Sequence, residues 1–454
     1  MSEYSFLLSS DDLGRILKRR GAKIYFIGIM GAGMLPLAKL MCSFGFYVSG
    51  SDILLKEEKI LHGMQVGPHN AINVDSADLI VTSFAIAEDN EELIRANELG
   101  IFITSRAALL GFIMLNYRTR IGVSGSHGKS TTTAIIDKIL CDCGYTPTTI
   151  SGATLYDGVD MRIGSENFFV YEACEYRDAF LNFHPSLQVI TSIELDHTDY
   201  FDDIDAVRAS FKKCADSAGY VVLNLDFDGA QKFKESLTAD VITYGSCVRA
   251  DYRYEIVRTD AEVFVFDIYR RGKQYMRLST HLIGKYNIAN ITAAVAIADY
   301  LGIDADVISR SVSSFCGIER RMSILTTYLS HDVFYDYAHH PTEISAAINA
   351  IKERYGTCTV VFCPHTYSRT KSLWGEFISA LSKADFTILL DIYPAREKYI
   401  DGVTSQRLAK EIGDSCVYAT PEEVLGLIET RGVGAVVLMG AGRLDDVIRL
   451  LKNG

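Results

Sequence analysis

The sequence predicts an α/β protein of three domains, each built on a mostly parallel sheet. Its 454 residues exceed what one ordinary hydrophobic core accommodates. Apolar strand-like segments alternate with helical patterns from end to end, as they do in parallel α/β layers. Three segments open with an apolar strand that leads into a glycine or histidine loop, at Lys23, Arg120 and Asp332. We therefore expect domains at residues 1–118, 119–322 and 323–454.

The composition excludes some classes of binding partner and indicates the cellular compartment. The formal net charge of -12 argues against nucleic acid or an anionic membrane as the main partner, because both need a basic face. The cysteines are scattered, and the close pair Cys141 and Cys143 has no second pair to complete a zinc site. No apolar signal core is evident near the N-terminus, and the uncharged stretch at 24–38 is too short to cross a bilayer. We expect a cytoplasmic protein with neither membrane nor nucleic acid as partner.

The first domain opens with a strand followed by the glycines Gly28, Gly31 and Gly33, and its second strand ends at Asp52. Such turns let a backbone approach a pyrophosphate, and an acid at the end of the second strand can hold a ribose. The glycine order differs from that of nicotinamide enzymes, so a dinucleotide is disfavoured. Two interpretations stay open: the glycines serve packing alone, or the turn binds another nucleotide diphosphate.

The central domain carries a phosphate-loop motif. Residues 122–133 read Gly-Val-Ser-Gly-Ser-His-Gly-Lys-Ser-Thr-Thr-Thr, between a strand at 120–124 and a helical pattern from Ser130. A helix N-terminus there presents unpaired N–H groups to a triphosphate. Lys129 can supply charge for the β- and γ-phosphates, and the Ser130 hydroxyl can ligate Mg²⁺. The strict pattern needs a glycine where Val123 stands, so a chance Gly-Lys-Ser in a surface turn is the alternative.

Polar clusters follow two further strands of this domain. One strand, 168–172, ends at Glu172, and the next, 187–193, leads into Glu194, Asp196, His197 and Asp199. In open parallel sheets ligands bind beyond the carboxyl ends of the strands, so both clusters should face the phosphate loop. Glu172 can complete a Mg²⁺ site with Ser130, and His197 can hold a second metal ion or a substrate carboxylate. The alternative is a set of solvated turn acids.

Two pairs of polar residues close the central domain. Asn287 and Asn290 precede a helical pattern that starts at Ile291, where they can cap the helix or hydrogen-bond an adenine. Arg320 and Arg321 stand where a phosphate clamp would lie, or they form a solvated charge pair.

The third domain places polar clusters after three successive apolar strands, at 336–341, 364–369 and 391–397. Each cluster contains a histidine or an arginine beside an acid or a tyrosine. Successive clusters of this kind indicate a binding cleft between domains.

Taken in order, these motifs resemble those of the Mur ligases, the ATP-dependent amide-forming enzymes of peptidoglycan precursor synthesis. The resemblance runs from Gly28 to Gly442 and covers nearly the whole chain. It implies a Rossmann-like first domain, a P-loop ATPase-like central domain and a Rossmann-like third domain. The motifs are the glycine turn, Gly-Ser-His-Gly-Lys-Ser-Thr-Thr at 125–132, Glu-Ala-x-Glu at 172–175, Asp-His at 196–197, Asn-x-x-Asn at 287–290, Gly-x-x-Arg-Arg at 317–321, Asp-Tyr-Ala-His-His-Pro at 336–341 and Pro-His-x-Tyr-Ser-Arg at 364–369.

The resemblance also implies a reaction. ATP would phosphorylate the lactyl carboxylate of UDP-N-acetylmuramate, and the amine of L-alanine would attack the acyl phosphate, with Mg²⁺ as cofactor and a monomer or homodimer as the working form. Glu175-Tyr176 favours a family member that adds a murein tripeptide instead. Gly33-Met34, Asp336-Tyr337 and the motif at 364–370 favour the alanine-adding type. A non-catalytic nucleotide-binding relative is the remaining alternative.

The resemblance assigns roles to individual residues. Catalysis would fall to Lys129, Glu172, His197, Arg320 and Arg321, and metal binding to Ser130, Glu172 and His197. ATP would contact Gly125, Ser126, His127, Gly128, Lys129, Ser130, Thr131, Asn287, Asn290 and Asp336. The UDP-sugar would contact Gly28, Met30, Gly31, Ala32, Gly33, Met34, Ser51, Asp52, Ser83 and Arg106. The amino acid would contact Tyr337, His339, His365 and Arg369. The sequence departs from the family pattern at Met30, Cys174, Tyr286 and Thr366.

Overall fold

Three sheets follow one another along the chain, which confirms the predicted α/β class. The computed structural model describes residues 10–19, 21–165, 167–198, 200–259, 263–395, 397–442 and 444–453. Asp199 and Arg396, which belong to two of the predicted polar clusters, lie outside these residues. None of the described helices has the length and apolar character needed to cross a membrane.

The first sheet has the strand order β3-β4-β2-β1-β5-β6 and is parallel except for the β3/β4 pair. Its strands are β1 (Lys23–Ile27), β2 (Tyr47–Ser51), β3 (Lys59–Leu61), β4 (Met64–Gly67), β5 (Leu79–Thr82) and β6 (Phe102–Ser105). Its helices are α1 (Ser10–Leu17), α2 (Met34–Ser43), α3 (Glu91–Glu98) and α4 (Arg106–Met114), with a 3-10 helix at Ala71–Val74. Strand β1 is a nearly continuous apolar run buried on both faces, as central parallel strands are.

The second sheet has the order β16-β15-β14-β13-β12-β11-β7-β10-β8-β9, and antiparallel pairs lie at both ends. Its strands are β7 (Thr119–Ser124), β8 (Thr148–Ile150), β9 (Met161–Arg162), β10 (Phe168–Glu172), β11 (Leu187–Ile190), β12 (Tyr220–Asn224), β13 (Asp240–Gly245), β14 (Tyr252–Thr259), β15 (Phe264–Arg270) and β16 (Lys273–Thr280). Its helices are α5 (Lys129–Asp142), α6 (Ile204–Asp216), α7 (Ala230–Ser236), α8 (Tyr286–Tyr300) and α9 (Ala305–Ser313), with a 3-10 helix at Tyr176–Asn182.

The third sheet has the order β17-β18-β22-β19-β20-β21, and among its described strands β17 and β18 pair antiparallel while the other pairs are parallel. Its strands are β17 (Ser323–Tyr328), β18 (His331–Asp336), β19 (Cys358–Phe362), β20 (Phe386–Leu389), β21 (Cys416–Tyr418) and β22 (Ala435–Met439). Its helices are α10 (Pro341–Tyr355), α11 (Tyr367–Ser372), α12 (Trp374–Leu381), α13 (Ser405–Ile412), α14 (Val424–Arg431) and α15 (Asp445–Asn453), with a 3-10 helix at Pro421–Glu423.

Two boundaries differ from the sequence prediction. The strand predicted over 187–193 ends at Ile190, and the polar cluster follows as irregular chain. Helix α8 begins at Tyr286, five residues before the predicted start at Ile291. The capping role suggested for Asn287 and Asn290 is therefore wrong, because both residues lie inside the helix and the N-cap is Lys285.

The first two sheets share one apolar core, whereas the third has its own cores. Met114 and Tyr117 from the end of the first domain pack in the same cluster as Phe169 and Phe183 of the central domain. The rings of Tyr117 and Phe169 meet edge to face with centroids 4.7 Å apart. Among the described residues, the two clusters around the third sheet have no buried member from the other two sheets, although Ile283 of the central domain packs against one of them. The polar contacts described below also join the third domain to the central one.

Candidate active site

The phosphate loop lies at the carboxyl end of β7, between the parallel neighbours β10 and β11. Gly125 and Gly128 have φ angles of 138° and 80°, a backbone region that favours glycine. A Cβ at Gly125 would lie 2.0 Å from Thr191 Oγ1, and one at Gly128 would lie 2.5 Å from Asn290 Oδ1. Only glycine therefore fits these two positions, and the helix α5 begins directly after them at Lys129.

Lys129 is held inside the loop by a carboxylate that the role assignment did not include. Its Nζ lies 3.2 Å from Glu175 Oε2 and 3.4 Å from the Ser126 carbonyl, and it also donates to the Gly125 carbonyl. Burial alone would lower the pKa of Lys129, but Glu175 together with Cys174 and Glu172 outweighs burial and raises that pKa. The lysine is thus an ammonium at neutral pH, paired with Glu175.

Two of the three residues predicted to hold Mg²⁺, Glu172 and Ser130, fit the ion by their oxygen atoms, whereas His197 offers a nitrogen. Glu172 ends β10, and its Oε1 accepts hydrogen bonds from Ser151 Oγ at 2.6 Å and from the Gly152 backbone N–H at 2.7 Å. These bonds orient the carboxylate. Ser130 and His197 line the same cavity. Carboxylate and hydroxyl oxygens are the ligands that Mg²⁺ prefers, and the remaining positions are usually taken by water and substrate phosphate.

A cavity of about 610 Å³, here called the central cavity, gathers predicted residues from all three domains. The first domain contributes Met30 and Ala32. The loop and its surroundings contribute Ser126, His127, Gly128, Lys129, Ser130, Glu172 and His197. The end of the central domain and the third domain contribute Arg320, Arg321, Tyr337, His339, His365 and Arg369.

A second cavity of about 240 Å³, here called the side cavity, adjoins the loop from the α8 side. It is lined by Thr131, Asn287, Asn290, Asp336 and also by His127 and Gly128. Asn287 Nδ2 donates to the Ile283 carbonyl at 2.9 Å, and Asn290 Nδ2 donates to Asn287 Oδ1 at 3.1 Å. Asp336 accepts backbone N–H groups of Met322 and Ala338, each at 2.7 Å, and burial raises its pKa to about 6.

Arg369, predicted to bind the amino acid, is already paired across the domain boundary. Its Nη2 and Nε donate to Asp196 Oδ1 at 2.9 Å and 3.1 Å, and its Nη1 donates to His365 Nδ1 at 3.0 Å. Burial would raise the pKa of Asp196, but Arg369 holds it well below its usual range. Burial lowers the pKa of His365 and His339 to about 4, so both imidazoles are neutral at pH 7.

Some of the residues predicted to bind the UDP-sugar stand at the glycine turn, whereas others line neither cavity. Around the glycine turn, a Cβ at Gly33 would lie 3.0 Å from Arg106 Nη1, so this guanidinium stands directly against the turn. Asp52 instead holds the loop backbone, accepting N–H groups of Met30 and Leu54, each at 3.0 Å. Ser51 is fully buried and donates to Glu92, away from either cavity. The remaining residues, Gly28, Gly31, Met34 and Ser83, line neither cavity.

The two predicted clamp arginines differ in surroundings. Arg321 lines both cavities, and its Nη1 lies 3.8 Å from Glu343 Oε1. Arg320 lies over the ring of Tyr337, 4.8 Å from its centroid, and is exposed. Arg321 is therefore the better placed of the two to meet a phosphate between the cavities.

Most of the chain matches models of a known protein family. Three family models match in order: Mur ligase family, catalytic domain at 23–118, Mur ligase middle domain at 123–298, and Mur ligase, glutamate ligase domain at 320–442. The UDP-N-acetylmuramate–L-alanine ligase of Caldicellulosiruptor saccharolyticus is 36% identical over 95% of this chain and 98% of its own. The chain belongs to the Mur ligase family.

Solved structures of Mur ligases share the whole architecture. The UDP-N-acetylmuramate-alanine ligase of Thermotoga maritima matches with a TM-score of 0.78 at 25% identity, over 95% of this chain and 98% of that one. A murein peptide ligase of Psychrobacter arcticus matches with a TM-score of 0.71 at 21% identity over 95% and 98%. At that identity the likeness concerns the fold alone, so the fold does not separate the two activities. As in the Mur ligase family generally, the nucleotide used is ATP.

Sequence reasoning left several residues of this Mur ligase site without a role. Glu175 holds Lys129, Asp196 holds Arg369, and Glu343 contacts both His127 and Arg321. One signal was available for Glu343, because a glutamate three residues after the helix-starting His340 is a capping-box pattern. No signal was available for the pairing of Asp196 with Arg369, which are 173 residues apart.

Proposed function

We propose that this chain joins L-alanine to the lactyl carboxylate of UDP-N-acetylmuramate, with ATP converted to ADP, in peptidoglycan precursor synthesis. The observation that carries the proposal is the central cavity, where Lys129 of the phosphate loop and Arg369 of the third domain line one space. The names of the relatives, at 36% identity over nearly the full length, support the choice of alanine. The boundaries at residues 118 and 322, the role of Mg²⁺ and a cytoplasmic location are part of this proposal.

The phosphate loop would bind the triphosphate in exchange for an internal carboxylate. Lys129 leaves Glu175 and meets the β- and γ-phosphates, while the backbone N–H groups at the start of α5 bind the oxygens. The nucleoside extends into the side cavity, where Asn287 and Asn290 face the base and Asp336 accepts from the ribose. Arg321 lies between the two cavities and stabilises the negative charge that spreads over the transferring group.

The acceptor carboxylate would lie beside Glu172, Ser130 and His197. When bound to these residues, Mg²⁺ would neutralise phosphate charge and orient the in-line transfer. The carboxylate attacks the γ-phosphorus, and the product is an acyl phosphate with ADP leaving. The free amine of L-alanine then attacks the acyl carbon and inorganic phosphate leaves, so the amide forms. Because water hydrolyses an acyl phosphate, contact between the third domain and the loop protects the intermediate.

The amino acid would bind at the third-domain wall of the central cavity. Its carboxylate would pair with Arg369, whose guanidinium has Asp196 and His365 as present partners. His339 and His365 are neutral at pH 7, so neither adds positive charge beside the amino group, which loses its proton to solvent before the free amine attacks.

The test is phosphate release with UDP-N-acetylmuramate, ATP and a panel of L-alanine, L-serine, glycine and murein tripeptide. We expect release that requires both the sugar nucleotide and L-alanine. Phosphate release in the absence of either substrate would contradict the proposal.

Tripeptide ligation is the second candidate, and Tyr176 favours it. The Tyr176 ring packs on the imidazole of His197, a residue that lines the central cavity, with centroids 4.7 Å apart. An aromatic surface beside this wall can contact a longer amine substrate. The same panel separates the candidates, because the tripeptide and L-alanine compete for one acyl phosphate.

A further inference from the structure

The phosphate loop and the third domain meet at a cluster of charged groups, of which Glu194 and Glu343 have no role in the proposed reaction. The His127 imidazole lies between two carboxylates, with Nε2 at 3.3 Å from Glu194 Oε2 and Nδ1 at 3.0 Å from Glu343 Oε1. Glu194 follows β11 in the central domain, whereas Glu343 belongs to the first turn of α10 in the third. One ring of the phosphate loop therefore contacts both domains at once.

His127 carries a positive charge in this position. Burial alone would lower its pKa, but Glu343 and Glu194 outweigh burial and raise that pKa to about 10. Burial would raise the pKa of Glu343, yet the positive groups that face it keep that pKa well below its usual range. His339 is neutral at pH 7, so the cations that face Glu343 are His127 and Arg321.

Glu343 also fixes the start of its own helix. Its Oε2 accepts the backbone N–H groups of His339 at 3.1 Å and His340 at 3.4 Å, so the carboxylate is immobilised by α10. The other oxygen, Oε1, is the one directed at His127 and Arg321. A movement of the third domain therefore moves a negative charge toward or away from the phosphate loop. Thr342 adds a second link by donating to Glu194 Oε2 at 2.7 Å.

A bound transition metal is the competing explanation of this cluster. His127, Glu194 and His340 offer ligand atoms within 4.8 Å of one another. However, His340 Nδ1 already accepts the Thr342 backbone N–H at 3.3 Å, and both ring nitrogens of His127 face carboxylates. The ion pairs balance the charges without a metal cation.

We propose that Glu343 is a positioning residue that couples the phosphate loop to the third domain through His127. The pair of His127 and Glu343 is here called the latch. When His127 and Glu343 are in contact, the latch is closed and the phosphate loop is ordered. The third-domain wall of the central cavity then lies against the site of phosphoryl transfer. Glu343 acts through His127 and takes no part in bond making. The kinetic part of this inference rests on the proposed ligase function, but its structural part does not.

Glu343→Gln is the variant of choice, because a glutamine oxygen can still accept from the His339 backbone N–H while the charge is lost. The matched control is Glu353→Gln on the same helix. Glu353 also pairs with the central domain, through Lys285, but at an exposed position away from both cavities. Exposed ion pairs of this kind contribute little to the stability of a protein.

The deciding measurement is amide hydrogen exchange of the loop peptide 125–131 in the full-length protein. We expect Glu343→Gln to raise exchange of that peptide roughly tenfold, although the change lies more than two hundred residues away, and Glu353→Gln to leave it unchanged. Adding His127→Gln to Glu343→Gln should raise exchange no further. Unchanged exchange in Glu343→Gln, or effects that multiply in the double variant, would overturn the inference.

If Glu343→Gln does not fold, His127→Gln tests the latch from the other side. Coupling is reciprocal, so His127→Gln should raise exchange at the start of α10, in peptide 337–345. Unchanged exchange there contradicts the latch.

Turnover gives a readout that a purely structural role would not produce. Glu343→Gln should lower kcat about tenfold and leave KM for UDP-N-acetylmuramate within about twofold, because the first domain is not touched. If no ligase activity exists in the unmodified protein while the exchange coupling is present, the proposed function fails and the latch stands.

Discussion

At the scale of single residues, the structure gives most of the predicted side chains a partner that the sequence did not name. Lys129 is paired with Glu175 and Arg369 with Asp196. Both cations are buried, and a buried charge is costly unless it is paired. The partner carboxylates therefore hold Lys129 and Arg369 in place, and in the proposed reaction substrate anions would replace these carboxylates.

Replacing Lys129 by alanine should reduce turnover roughly 10³-fold, because Lys129 is the ammonium group of the phosphate loop that would meet the β- and γ-phosphates. The measurement is phosphate release at saturating substrates, with circular dichroism to establish folding. Lys138→Ala is the control on the same helix, since Lys138 pairs with Asp142 outside both cavities. Activity retained by a folded Lys129→Ala protein would favour a non-catalytic nucleotide-binding role.

Because of Asp336, ATP binding should weaken as the pH falls below about 6. Burial raises its pKa to about 6, so the carboxylate that would accept from the ribose becomes protonated as the pH falls through that value. We expect KM for ATP to rise several-fold between pH 7.5 and pH 5.5, while KM for the amino acid follows a different profile. A KM for ATP that is flat over this range would contradict a ribose contact at Asp336.

His127 should make stability depend on pH in the alkaline range. Its folded pKa of about 10 lies above the unfolded value near 6.5, so its contribution is complete below the unfolded pKa and is lost as the pH rises through the folded pKa. Between these values the free energy of unfolding should fall by at most about 1.4 kcal/mol per pH unit from this group. His127→Gln should remove that slope in urea titrations at pH 7, 8 and 9. An identical slope in both proteins would mean that His127 is not held as a cation.

At the scale of elements, the sequence located strands and loops better than helix starts. The strands β1, β7, β10 and β18 lie where apolar runs predicted them, because a buried parallel strand is a continuous apolar segment. The sequence predicted the start of α8 too far along the chain, because Asn287 and Asn290 were interpreted as residues that precede the helix. In the folded chain both amides are buried: Asn290 donates to Asn287 inside the helix, and Asn287 donates to the Ile283 carbonyl just before it. Both residues line the side cavity, so their polarity marks a cavity wall and not a helix end.

Gly128→Ala should abolish nucleotide binding, because a Cβ there meets Asn290 Oδ1 in addition to the cost of the positive φ. Gly144→Ala separates the two effects. Gly144 follows the other end of α5 with a φ of 89° and open space around its Cβ position, so this variant carries only the backbone cost of about 1 kcal/mol. Isothermal titration with ATP should detect binding to Gly144→Ala alone. Equal affinity in both variants would contradict the predicted contact.

At the scale of the whole molecule, the domains are joined by two kinds of interface. The first and central domains share an apolar core, whereas the third is attached to the central domain by ion pairs such as Arg369 with Asp196. Apolar packing resists opening, but charged contacts can be exchanged for water or substrate. We therefore expect the third domain to be the part that moves during turnover.

Unfolding should not be two-state. The single tryptophan, Trp374, lies in α12 of the third domain, so its fluorescence reports that domain alone. We expect the fluorescence and circular dichroism midpoints in urea to differ, and ATP to bring them closer because it contacts the central and third domains together. Coincident midpoints without ligand would mean that the domains unfold as one unit.

The sequence by itself determined the α/β class, the three sheets, the phosphate loop and the order of the family motifs. These features are local. They depend on apolar runs, on backbone turns whose conformation requires glycine, and on residues that are close together in the chain. Only the tertiary structure decided which charges are paired: Glu175 with Lys129, Asp196 with Arg369, and Glu343 with His127. These pairs join segments 46 to more than two hundred residues apart. Their energies depend on burial and distance in space, neither of which has a signature in the local sequence.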